Sequence, residues 1–156
     1  MTFSLNIAIF QILFIIENHK YYGEMKMGMT HVTVTIRNPA NPKNEWEGLF
    51  LVDTGAVDCL VPGKYLRKIG LIPKMSRTYE LADGSKVRMD ATVAEVEFMG
   101  DIVGATIIFG PDDAEPILGV TPLESVGIEV DPRTQRLKRL PAVRLKSFGG
   151  QKDIVI

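Results

Sequence analysis

Apolar and polar residues alternate along Thr30-His31-Val32-Thr33-Val34-Thr35-Ile36-Arg37, which puts Val32, Val34 and Ile36 on one face of an extended segment. That period of two predicts a half-buried strand. Asn38-Pro39-Ala40-Asn41-Pro42 breaks it, and a second strand is expected over residues 46–52, where Gly48-Leu49-Phe50-Leu51-Val52 forms a short apolar run. Residues 62–70 read as a short helix, with Leu66 and Ile69 on one side and Gly70 as its C-cap. The clearest hairpin signature spans residues 78–89: Asp83-Gly84 favours a tight primed turn between alternating arms. Tyr79, Leu81, Val87 and Met89 then share one face, and Glu80, Lys86 and Arg88 point outward. Strand character continues over residues 92–98, a turn falls at Met99-Gly100-Asp101, and residues 102–109 are nearly all apolar and rich in β-branched side chains.

Further on, Thr121-Pro122-Leu123-Glu124 predicts a helix start, with Thr121 as N-cap, Pro122 at the first helical position and Glu124 closing a capping box; Gly127 stops it. The middle of the chain therefore consists of antiparallel strands joined by short turns. An all-β, barrel-like domain with one or two short helices is expected, not a βαβ fold.

Length and composition add bounds to this picture. At 156 residues, 46% hydrophobic and 24% charged, the chain fits one globular domain with tails. We expect that domain at residues 30–145, an apolar N-terminal extension at 1–29 and a C-terminal tail at 146–156. Residues 3–16 are strongly apolar, yet Ser4, Asn6 and Gln11 interrupt them, and the run is shorter than the ~20 residues needed to cross a bilayer. No basic n-region or small-residue cleavage pattern accompanies it. Because Met25, Met27 and Met29 stand just before ordinary globular sequence, residues 1–24 read as an upstream extension absent from the working protein, with a membrane anchor as the rival reading. Localisation is expected to be cytoplasmic, and membrane association would run only through residues 3–16.

A net charge of −1 removes any global attraction to nucleic acid. Residues 131–156 do carry +5 against −6 elsewhere, but without aromatic interleaving or a recognition helix they read as a solvated face, so no nucleic-acid partner is expected. The lone Cys59 sits among apolar neighbours and is expected as a small buried hydrophobe. His19 and His31 have no ligand or nucleophile beside them in sequence, and Pro111-Asp112-Asp113-Ala114-Glu115-Pro116 lacks cation-loop spacing. No metal and no cofactor is expected.

The candidate chemistry lies at Leu51-Val52-Asp53-Thr54-Gly55-Ala56, where the apolar run ends in a carboxylate, a hydroxyl and a glycine. An Asp leaving a buried strand is half out of water, so burial raises its pKa unless donors stabilise the charge. Thr54 can tie down neighbouring backbone; Gly55 allows a positive φ or a close approach.

Asp53-Thr54-Gly55-Ala56 after an apolar strand, followed by Cys59-Leu60-Val61-Pro62, resembles the active-site segment of the single-domain, retropepsin-like aspartic proteases. Three more features match over about residues 30–140. The hairpin takes the place of the flap, with Tyr79 or Leu81 contacting substrate and Asp83-Gly84 at its tip. Ile117-Leu118-Gly119 before a short helix is similar to the segment that supports the Asp-Thr-Gly loop from behind. Val130-Asp131-Pro132-Arg133-Thr134 leads into Arg136-Leu137, where such domains return a terminal strand.

The resemblance implies a closed β-barrel acting as a homodimer, and peptide-bond hydrolysis without metal or covalent intermediate. Its catalytic residues would be Asp53, Thr54 and Gly55. Ala56, Tyr79, Leu81, Asp83 and Gly84 would line substrate, and Ile117, Leu118 and Gly119 would brace the loop. Asp-Thr-Gly occurs once, and Asp58, Asp83, Asp101 and Asp131 lack its context, so two copies would each donate Asp53. A noncatalytic dimeric peptide-binding module of the same fold is the alternative. A membrane-tethered interaction protein, resting on residues 3–16 alone, is a second.

Overall fold

The structure, a computed structural model, describes residues 30–143. The apolar run at 3–16, the candidate start methionines and the tail at 146–156 lie outside the described residues. Within them the chain is mostly β: β1 (His31–Asn38), β2 (Asn41–Val52), β3 (Cys59–Pro62), α1 (Gly63–Lys68), β4 (Met75–Glu80), β5 (Lys86–Phe98), β6 (Asp101–Gly110), β7 (Ile117–Leu118), α2 (Val120–Ser125), β8 (Ile128–Val130) and β9 (Leu137–Arg139).

Seven strands form one sheet in the order β1-β2-β7-β3-β6-β5-β4. Thr35, Ile36 and Arg37 of β1 also pair with β5, so the pairings run from β1 through the sheet and back to it, leaving β4 outside the circuit. β8 and β9 make a separate antiparallel pair.

The alternation read from β1 is what its burial shows: Val34 and Ile36 are fully enclosed, and Thr33 is exposed. Together with Phe50, Val61, Leu66, Val96, Phe98, Ile107, Leu118 and Leu123 they form the main core. Each such side chain stabilises the fold by about 1.5–3 kcal/mol relative to an exposed one. A satellite cluster of Leu60, Met89, Ile108 and Ala114 lies under Tyr79, Val87 and Ile117. Cys59 is fully buried, and burial pushes its thiol up to about 12.

Several expectations are corrected. The strands are not all antiparallel, since β2 pairs parallel with β7, and β3 parallel with β6. Those short partners carry no periodic signature because each has too few residues to show one. The hairpin after β4 has no two-residue primed turn: Leu81 and Ser85 close a three-residue loop in which only Gly84 has positive φ. Asp83 keeps its ordinary backbone and accepts hydrogen bonds from Ser85 N (2.8 Å) and Ser85 Oγ (2.5 Å). The primed geometry occurs instead at Met99-Gly100, where both φ values are positive, 51° and 82°, and Phe98 pairs directly with Asp101.

The helix expected with Thr121 as its N-cap starts two residues earlier. Gly119 is the N-cap of α2, and no side chain caps it. Val120 N and Thr121 N donate to the carbonyls of Ala56 (2.7 Å) and Val57 (3.2 Å). Tertiary carbonyls thus do what the Thr121–Glu124 box was expected to do. The helix α1 has Ile69 as its C-cap, and Gly70, expected as the cap, follows it with positive φ; Gly70 N donates to Arg67 O and Leu71 N to Leu66 O, both 3.0 Å. The turn at Asp131 also matches: its carboxylate accepts from Arg133 N (2.8 Å), and the chain returns as β9.

Candidate functional site

Strand β2 ends inside the sheet, and this places Asp53. Leu51 N donates to Pro116 O (2.9 Å), Asp53 N donates to Leu118 O (3.0 Å), and Leu51 and Val52 pair in parallel register with Ile117 and Leu118. On its other side β7 is held by β3 through Leu60↔Ile117. The three residues 117–119 therefore lie directly behind the loop. Gly119 is there because nothing larger fits: a Cβ would stand 2.5 Å from the Asp58 carbonyl oxygen and 2.7 Å from that of Val57.

Within the loop, Asp53 Oδ1 accepts the Gly55 N–H at 2.9 Å, and Ala56 N donates to Asp53 O at 3.2 Å. Gly55 has no positive φ, so of its two expected uses the close approach applies, a Cβ lying 3.2 Å from Asp53 Oδ1. Asp53 Oδ2 is buried and has no hydrogen-bond partner among the described residues. Burial raises the Asp53 pKa above the ordinary 3.8, opposed only in part by the Gly55 and Ala56 N–H groups. Thr54 is exposed and makes no hydrogen bond among the described residues.

The hairpin meets the loop through one pair. Tyr79 Oη donates to Asp58 Oδ2 at 2.8 Å, and Arg77 Nη1 stands 3.5 Å from the same oxygen. Burial first, and the Asp58 carboxylate second, push the Tyr79 hydroxyl up to about 12. Leu81, Asp83 and Gly84, by contrast, hydrogen-bond among the described residues only within the hairpin, and Asp83 is held below the ordinary carboxylate range by Ser85. Asp58 and Arg77 were not singled out from sequence. The signal was there in Tyr79, whose ring falls on the inward face of a hairpin and whose hydroxyl must then find a partner.

His31 Nε2 lies 2.8 Å from Glu115 Oε1, which ties the start of β1 to the acidic loop. Among the described residues no three acidic, His or Cys side chains cluster as a metal site, and no helix is long and apolar enough to cross a membrane.

No family model matches the chain, and no curated protein does. Among solved structures, the solution structure of the simian foamy virus (mac) protease is similar, with a TM-score of 0.44 and 15% identity, over 60% of this chain and 91% of that one. So distant a likeness carries no argument about the site, whose chemistry rests on the geometry of the loop.

Proposed function

We propose that this chain is an aspartic endopeptidase of retropepsin-like fold, active as a homodimer in which Asp53 of each copy faces one water. The observation that carries the reading is the division of labour within the Asp53 carboxyl. One oxygen is fixed by the loop's own N–H, and the other is buried with no partner among the described residues. A desolvated carboxyl oxygen is costly unless something outside the protomer completes it, and a second carboxyl sharing a proton does so.

Two such groups at contact distance cannot both ionise, so the pair holds one proton over a range of pH. The ionised Asp53 takes a proton from water as the water oxygen attacks the peptide carbonyl carbon. The protonated Asp53 meanwhile donates to the carbonyl oxygen. Collapse of the tetrahedral intermediate breaks the C–N bond, with a proton passing to the leaving nitrogen. The raised pKa of Asp53 favours the one-proton state at less acidic pH than an ordinary carboxylate would. By resemblance, Thr54 reaches the partner copy and the β4–β5 hairpin covers substrate.

The test combines particle size with cleavage of a random peptide pool across pH, on wild type and on Asp53→Asn. Cleavage that rises with dimer concentration and disappears in a folded, dimeric Asp53→Asn variant supports the reading. Full activity in that variant rules it out.

A further inference from the structure

The Asp53 loop has a second carboxylate, and its surroundings are the reverse of the first. The Asp58 side chain is only 10% exposed, and its Oδ2 is met by both the Tyr79 hydroxyl and the Arg77 guanidinium. Its backbone is equally constrained. The Asp58 and Val57 carbonyls close on Gly119, and the Val57 carbonyl accepts Thr121 N. This stretch thus presents the carboxylate to strand β4, which among the described residues pairs only with β5 and stands last in the order of the sheet.

We propose that Asp58 is a positioning residue that latches the β4–β5 hairpin onto the Asp53 loop, by accepting the Tyr79 hydroxyl beside the Arg77 guanidinium. The chemistry follows from burial. A nearly enclosed carboxylate is costly without donors, and the donors present both come from the hairpin's first strand. Lifting the hairpin breaks a hydrogen bond to a charged group and separates an ion pair at once, so the lowered position is favoured before any ligand arrives. The Tyr79 ring, packed against the satellite cluster, aims the hydroxyl without help from its partner. The latch is also mechanically coupled to the seat of Asp53, the proposed general acid–base group. Asp58 presses on Gly119, and the residue before it, Leu118, holds Asp53 N. The consequence for substrate rests on the catalytic reading above: a hairpin already in place lowers the ordering cost of binding and acts on KM, leaving the chemical step alone.

Two arms of one experiment separate the latch from the catalysis. The first is amide hydrogen exchange on the full chain, in both wild-type and Asp53→Asn backgrounds, and it needs no activity. Tyr79→Phe keeps the ring and removes the hydroxyl, and the β4 amides are expected to exchange about tenfold faster, with those of β1 unchanged. Unaltered β4 exchange overturns the latch. The second arm is kinetic: Tyr79→Phe is expected to raise peptide KM about tenfold with kcat changed by less than about twofold. Asp58→Asn, which keeps an oxygen for the hydroxyl, is expected to raise KM less than Asp58→Ala, and Asp58→Ala/Tyr79→Phe no more than Asp58→Ala alone. A fall in kcat with KM unmoved, or additive effects, overturns the positioning role. If no peptide is cleaved by wild type, the catalytic reading fails, and the exchange arm still decides the latch.

Discussion

Strand β5 passes through two environments, and the contrast between them organises the molecule. Over residues 92–98 it pairs with β6, and at 95–97 also with β1, with Ala94, Val96 and Phe98 enclosed in the main core. Over residues 86–91 it pairs with the edge strand β4 and buries only Met89 and Ala91. The 92–98 stretch is scaffold: its backbone is paired on both sides at 95–97, and Ala94, Val96 and Phe98 fill the core. The 86–91 stretch belongs with the Asp53 loop to a face that carries partly buried charge, a tyrosine–carboxylate pair and a carboxyl oxygen with no partner among the described residues. Stability is concentrated in the one and chemically useful imbalance in the other, which is the arrangement expected when a rigid frame must tolerate a costly site.

The sharpest way to separate the two regions is Asp53→Asn. Loss of a general acid–base group is expected to lower cleavage by about 10²–10⁴-fold, while the scaffold remains folded. Stability should move the opposite way. The folded carboxyl binds its proton more tightly than the unfolded one, so wild-type stability falls as pH rises from the ordinary 3.8 through the raised folded value. Denaturant midpoints should therefore show the variant more stable than wild type above that window and no different below it.

Phe98→Ala tests the scaffold. It empties a fully packed core position and is expected to cost about 3–5 kcal/mol in urea unfolding, against about 2–3 kcal/mol for Met89→Ala in the satellite cluster. Equal costs would erase the distinction between the two halves of β5. Gly119→Ala strikes where the regions join, because its Cβ would meet backbone oxygen at 2.5 Å. A cost of about 1–3 kcal/mol is expected, with activity falling further than stability. The smallest effect is spectroscopic. Burial first, and the Asp58 carboxylate second, push the Tyr79 hydroxyl up to about 12, so Asp58→Asn should lower its midpoint in a tyrosinate absorbance titration.

Much of the scaffold could be read from residue order. Val32, Val34 and Ile36 announced β1, and the apolar segments around Met99-Gly100 announced the β5–β6 hairpin, because long strands repeat their pattern often enough to be seen. The Asp53-Thr54-Gly55 loop was legible for a different reason: a carboxylate, a hydroxyl and a glycine at the end of an apolar run are chemically conspicuous. Less visible were the type of turn at Gly84 and the true start of α2. Asp83 satisfies its side chain locally on Ser85, and α2 takes its cap from Ala56 and Val57, residues far away in sequence.

Sequence alone therefore determined the strand-forming segments, the burial of Cys59 and the position of the candidate carboxyl. These depend on side-chain period and local chemistry. Tertiary structure decided that β7 lies parallel to β2 behind the loop, that one Asp53 oxygen finds no partner among the described residues, and that Asp58 holds Tyr79. Each of those is a contact between distant segments, and its energy depends on desolvation and geometry that exist only once the chain has closed on itself.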